Sequence, residues 1–125
     1  MDKCPVSVIL PFHNSEDTLE RALDSILGQT RRPKQIVCIN DGSSDQSLKV
    51  LKAYIERQDC KEIFTVVDMD KNGGVYVARN KGLDAATQPY LAFLDADDFW
   101  HPRKLEIQFI PIEADERIEI GRAHV

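Results

Sequence analysis

Three carboxylates within four residues, Asp95, Asp97 and Asp98, close an apolar run that begins at Tyr90. Like charges this close repel one another and resist desolvation. A hard divalent cation resolves that conflict, because ions such as Mg2+ take oxygen ligands and share them with phosphate groups. The competing reading is a solvated acidic turn, a common local structure. Asp41, in Asn40-Asp41-Gly42-Ser43-Ser44-Asp45, is a second carboxylate able to do chemistry, since it can accept hydrogen bonds from the N–H and hydroxyl groups of a nucleoside. Asn72-Gly73-Gly74 lets backbone approach a ligand closely and precedes a helical pattern, so it is a candidate phosphate cradle. Its spacing matches neither the dinucleotide-binding nor the P-loop fingerprint, and both are rejected.

Elements of two periods must position these groups. The β-rich run Val6-Ser7-Val8-Ile9-Leu10-Pro11 predicts a strand near 6–11 that Phe12-His13-Asn14-Ser15 breaks. Ser15 is the expected N-cap of a helix near 16–29, with Glu16 and Asp17 where the helix dipole favours acids. Leu19, Ala22, Leu23, Ile26 and Leu27 form its apolar stripe. A second strand is expected near 35–40 and a helix near 45–57, capped by Asp45 or Ser44. A third strand near 63–67 leads to a helix near 74–86 with Val75, Ala78, Gly82 and Leu83 as its buried stripe. Tyr90-Leu91-Ala92-Phe93-Leu94 reads as a fourth strand, near 90–94 and buried on both faces. A final helix is expected near 102–110, with Pro102 in its first turn.

Four strand–helix alternations imply an α/β fold with right-handed crossovers and a mostly parallel sheet. Asn14, Asp41, the Asn72-Gly73-Gly74 turn and Asp95 to Asp98 then all follow strand ends. That is the edge where open α/β sheets bind ligands.

Pro11-Phe12-His13-Asn14, Asn40 to Asp45, Asn72-Gly73-Gly74 through Ala78-Arg79-Asn80-Lys81-Gly82, and Phe93 to Asp98 occur in the order seen in family 2 glycosyltransferases. The resemblance runs from about Val6 to Leu105. It implies the Rossmann-like nucleotide-binding half of a GT-A fold, truncated here, and transfer of a sugar from a nucleotide-sugar, UDP-linked by preference, with inversion at the anomeric carbon. The resemblance casts Pro11 and Asn14 as the rim of the nucleoside pocket, with Glu16 beside it, and Asp41 as the acid that recognises base or ribose. Gly74, Arg79 and Asn80 match the third motif, although Arg79 also suits a salt bridge to the acidic cluster. Asp95 and Ala96 match the donor-contacting positions. Asp97 is the foremost metal ligand, joined by Asp95 and by Asp98, which could equally cap the following helix. The implied cofactor is Mn2+ or Mg2+, and the implied acceptor is a saccharide or a lipid-linked group. His13 stands where Tyr is common and Asn40 where an acid is common.

The resemblance also implies a carboxylate general base that follows the acidic motif. None of Glu106, Glu113, Asp115, Glu116 or Glu119 sits in a motif that assigns it that role. The ending Ile120-Gly121-Arg122-Ala123-His124-Val125 equals a translation of a common sequencing-library adapter. Residues 114–125 are therefore expected to be a charged tail, a candidate for non-native sequence, after a partial glycosyltransferase domain over 1–113. The fragment alone is expected to be inactive; the alternative is a non-catalytic nucleotide- or metal-binding module. A sugar nucleotidyltransferase lacks support, because its Gly- and Arg-rich loop after the first strand is absent.

With 125 residues and 42% hydrophobic content, one domain can bury about two-thirds of its unfolded surface. A net charge of −5 argues against nucleic acid as a partner. No apolar run approaches the roughly 20 residues needed to span a bilayer. Cys4, Cys38 and Cys60 show neither zinc nor redox spacing. The expected location is cytoplasmic, peripheral at the membrane face in the full-length protein.

Overall fold

The computed structural model describes residues 3–114. Four parallel strands form one sheet in the order β3-β2-β1-β4. In chain order the elements are β1 (Lys3–Phe12), α1 (Leu19–Leu27), β2 (Arg32–Asp41), α2 (Ser47–Glu56), β3 (Phe64–Met69), α3 (Val75–Ala85), β4 (Tyr90–Phe93) and α4 (Lys104–Ala114), with a 3-10 turn at Lys61–Ile63 before β3. The expected alternation and parallel sheet are both present. Among the described residues no helix is long and apolar enough to cross a membrane.

Period-two patterning divides the core into two layers. Val6, Val8 and Leu10 of β1, with Ile36 and Cys38 of β2, face α1, α2 and α4. Ile9, Val37 and Ile39 point the other way and pack beneath α3 around Ala78. All five stripe residues of α1 are buried, as their spacing requires. Burial also pushes the Cys38 thiol up to about 12, so it behaves as a small core hydrophobe. Gly82 lets α3 sit close to the sheet, since a Cβ there would lie 2.7 Å from Ile9 Cγ2 and 2.8 Å from Ile39 Cδ1.

Five expectations need correction. α1 begins at Leu19, not near 16, because the backbone of residues 14–16 is bonded to the loop after β2. The Ser15 hydroxyl donates to the His13 carbonyl instead of capping the helix. β4 is not buried on both faces: it pairs only with β1 among the described residues, and Tyr90, Leu91 and Phe93 are half-buried. Val75, in the first turn of α3, is exposed, and only Ala78 and Gly82 of that helix are buried. Finally, Pro102 lies in the turn before α4, which starts at Lys104 and runs through Ala114, one residue past the expected boundary. The remainder of the expected tail lies outside the described residues.

Candidate functional site

The loops after β1 and β2 are bonded to each other, and Asn14 is the centre of that clasp. It has φ +50°, a left-handed conformation that Asn tolerates better than most residues. Its Oδ1 accepts the N–H groups of Ser44 at 2.8 Å and Asp45 at 3.2 Å. Its own N–H donates to Ser43 Oγ at 3.0 Å. Ser15 N–H donates to Ser47 Oγ at 2.7 Å and Glu16 N–H to Asp45 Oδ2 at 3.3 Å. Asp45 Oδ1 meanwhile accepts Ser47 N–H at 2.9 Å, which satisfies a free donor at the start of α2, although Gln46, not Asp45 or Ser44, occupies the N-cap position. Partial burial works against the ionised Asp45, but hydrogen bonds from Ser47 and Glu16 outweigh it and hold the carboxyl below its usual range.

The loop after β3 joins the same assembly through Asp41, only 5% exposed. Asp41 Oδ1 accepts Gly73 N–H at 2.7 Å, and its carbonyl accepts His13 Nδ1–H at 2.8 Å. Gly42 has φ +65°, and a Cβ there would lie 2.7 Å from the Lys71 carbonyl carbon, so only glycine allows the two loops to touch. Asn40 uses both ends of its amide, donating to Asp68 Oδ1 at 2.8 Å and accepting Ser43 N–H at 3.1 Å. An Asp at position 40 could not donate, and would place a carboxylate against Asp68. The Asn72 amide oxygen accepts Gly74 N–H at 3.0 Å, fixing Gly74 at φ +92° ahead of α3.

Beside this assembly lies a cavity of about 410 Å3 lined by Pro11, Phe12, His13, Asn14, Ser15, Asp17, Thr18, Ala96 and Asp97. That volume is within the range of small-molecule sites. A smaller space of about 90 Å3 lies between Pro11, Phe12, His13, Asp41, Val75 and Asp95. The acidic loop thus meets the Asn14 loop across the larger cavity, as strand-end convergence required.

Helix α1 and its exit hold the acidic loop from behind. Arg21 donates to the Asp97 carbonyl at 3.0 Å and stacks on Phe99 at 4.8 Å. The buried Gln29 donates to the His101 carbonyl at 2.7 Å and accepts Leu105 N–H at 3.0 Å. The Asp97 carboxylate itself is exposed and unpaired among the described residues. Asp95 pairs with Arg79 at 3.4 Å, the alternative role the sequence allowed, and Arg79 also lies over the Phe93 ring. Asp98 Oδ1 accepts Phe99 N–H at 2.9 Å.

No group of three or more His, Cys, Asp or Glu side chains is close enough to form a metal cage among the described residues. The donor set is nevertheless the one a hard cation needs when phosphates complete its shell: exposed carboxylate oxygens, one of them unpaired. Of the residues singled out from sequence, Pro11, Asn14, Ala96 and Asp97 line the larger cavity; Asp41 and Asp95 line the smaller one. Glu16, Gly74, Arg79, Asn80 and Asp98 line neither. Glu16 enters the clasp through its N–H alone, and the Asn80 side chain is exposed. Sequence reading missed Asp17 and Thr18 in the cavity wall and Arg21 and Gln29 behind the acidic loop. A polar Gln on the exit of an apolar helix face was the one available signal for Gln29.

This fold defines an α/β unit of the GT-A type. S. aureus TarS in complex with UDP superposes with a TM-score of 0.78 at 29% identity, over 93% of this chain and 33% of that one. The mannosyltransferase PcManGT from Pyrobaculum calidifontis, in complex with GDP-Man and Mn2+, superposes with a TM-score of 0.78 at 26% identity, over 90% of this chain and 33% of that one. The chain belongs to glycosyl transferase family 2, whose family model matches residues 7–124. Among curated relatives, the putative teichuronic acid biosynthesis glycosyltransferase TuaG of Bacillus subtilis is 41% identical over 103 residues, 82% of this chain. The uncharacterized glycosyltransferase YibD of Escherichia coli K12 is 38% identical over 101 residues, 81% of this chain. The match spans 40% of the length of TuaG and 28% of that of YibD.

Proposed function

We propose that this region binds the donor of an inverting glycosyl transfer, a nucleoside diphosphate sugar with uridine as the preferred nucleoside. The observation that carries the reading is the meeting of a buried, oriented carboxylate (Asp41) and an exposed, unpaired one (Asp97) at one sheet edge. UDP in TarS and GDP-Man with Mn2+ in PcManGT support it by similarity.

In this reading Asp41, with Oδ1 engaged by Gly73, offers its remaining oxygen to an N–H or hydroxyl of the nucleoside. Pro11, His13 and Asn14 form the pocket wall. Asp97 and Asp95 would hold a divalent cation, with Asp98 beside them; such an ion supplies Lewis-acid stabilisation of the departing diphosphate. Arg79 keeps positive charge next to Asp95 and is placed to exchange that contact for one with phosphate. The acceptor hydroxyl, on a saccharide or a lipid-linked group, attacks the anomeric carbon opposite the leaving diphosphate. The sugar–phosphate C–O bond breaks, and the hydroxyl proton passes to a carboxylate base. We assign that base to sequence following the acidic motif in a longer protein.

Calorimetric titration of the chain with UDP, with and without Mn2+, tests the proposal. Binding that strengthens with Mn2+ is the expected result. A folded chain that binds neither UDP nor GDP under either condition would overturn it.

A further inference from the structure

We propose that His13 is a positioning residue whose imidazole, fixed as the Nδ1–H tautomer, ties the loops after β1, β2 and β3 into one preformed pocket. Its link to donor binding rests on the function proposed above. Nδ1 lies 2.8 Å from the Asp41 carbonyl oxygen. A carbonyl only accepts, so Nδ1 carries the hydrogen, and in the neutral ring Nε2 then presents a lone pair.

Two side-chain amides face that ring, and backbone donors decide which end each presents. Asn14 Oδ1 is taken by the N–H groups of Ser44 and Asp45, and Asn72 Oδ1 by that of Gly74. Both asparagines therefore turn their NH2 groups toward His13. Asn14 Nδ2 lies 3.4 Å from Nε2, the ring's acceptor. Asn72 Nδ2 lies 3.2 Å from Nδ1 and 3.1 Å from Nε2. Near-equal distances to both nitrogens place it over the ring face, where an amide N–H meets the π cloud.

One ring thus offers a donor to the end of β2, an acceptor to its own loop and a face to the loop after β3. A phenyl ring would keep only the face. A Tyr, common at this position in the family the chain resembles, would add a hydroxyl beyond the ring, where neither imidazole nitrogen stands. Because Asn14 and Asn72 in turn hold the backbone of Ser44, Asp45 and Gly74, fixing the imidazole fixes the pocket wall. His13 contributes to both cavities at this edge.

Long-range 1H–15N correlation spectra of the full chain, with His13 assigned by difference against His13→Phe, read the tautomer directly. A protonated Nδ1 and an unprotonated Nε2 are expected; the Nε2–H tautomer would overturn the proposal. Amide exchange then tests the coupling. In His13→Phe, exchange at Ser44 and Gly74 should accelerate at least about tenfold, while Val50 within α2 stays unchanged. His13→Asn, which retains a donor toward the Asp41 carbonyl, should recover part of that protection. Unchanged exchange at both loop amides in both variants would also overturn the proposal. UDP titration of the same proteins separates the two readings. Loosened loops in His13→Phe with no binding of UDP or GDP, with or without Mn2+, even by the parent chain would retain the positioning role and defeat the donor assignment. UDP binding by the parent chain that weakens about tenfold in His13→Phe supports both.

Discussion

Two halves of one sheet edge are built differently. Around β1, β2 and β3 the loops are clasped: Asn14, Asp41 and Asp45 each hold a backbone N–H of another loop, Asn40 holds that of Ser43 in its own loop, and Asp41 is nearly buried. Around β4 and the start of α3 the surface is open. Asp95, Asp97 and Asp98 are exposed, as are Val75 and Val77, with Tyr76 76% and Phe99 57% accessible. The physics separates the two. A buried carboxylate must be satisfied within the fold, so its neighbours are fixed before a ligand arrives. An exposed carboxylate keeps its water until a cation and phosphate displace it. In the reading proposed above, the clasped half would select the nucleoside and the open half would meet the charge of the cation and phosphate.

Mutations can break that contrast, and the largest effect belongs to the open half. Asp97→Ala should abolish the Mn2+-dependent gain in UDP affinity, a loss on the order of a hundredfold or about 2.7 kcal/mol, while thermal stability stays near that of the parent. Calorimetry with and without Mn2+ checks this. Retention of the metal effect would remove Asp97 from the site.

Next in size is an overpacking change beneath α3, which seats the loop after β3. Gly82→Val pushes its side chain into Ile9 and Ile39 and should destabilise the chain by about 2–3 kcal/mol in urea unfolding. A variant as stable as the parent would show that α3 can lift from the sheet at little cost.

Asp45→Ala removes the link between α2 and Glu16 and should cost about 1 kcal/mol. The pH dependence sharpens this test. Because the folded Asp45 carboxyl is held below its usual range, its contribution is fully present above the unfolded value of about 3.9. That contribution is lost as pH falls through the lower folded value. Urea titrations between neutral pH and pH 3 should therefore show the stability difference between parent and variant shrinking with acid. A difference that grows with acid would contradict the assignment.

The smallest effect is expected at the Arg79–Asp95 pair, in which the arginine is half-buried and the carboxylate exposed. Arg79→Met should change stability by less than about 1 kcal/mol, because solvent screens the pair. The same variant should weaken UDP binding if Arg79 is released toward phosphate. A large stability loss with unchanged binding would make the arginine structural.

Particular residues show what each level of description contributed. Apolar and β-rich runs located the four strands and the strand-end positions of Asn14, Asp41 and Asp97, and a helical repeat located the buried stripe of α1, because burial imposes patterns that a linear reading can count. That Asp45 serves the start of α2 was also legible, since its bond to Ser47 N–H spans only two residues, though Gln46 takes the N-cap position itself. The motif order, from Pro11 through Asp98, was enough to mark the family. By contrast, the roles of Asn14 and His13 depend on partners 28 to 31 residues away or farther, and no local pattern encodes which loop will face which. The same limit explains the late start of α1: Ser15 and Glu16 have good helix-entry chemistry, yet their N–H groups are drawn to Ser47 and Asp45. An apolar run such as Tyr90 to Leu94 states that a strand is present but not its place in the sheet, and only the pairing with β1 made it an edge among the described residues. Local composition determined which elements form and which chemistry gathers at their ends. Tertiary structure decided how the loops pair, because hydrogen bonds between distant loops exist only after the sheet has set their spacing.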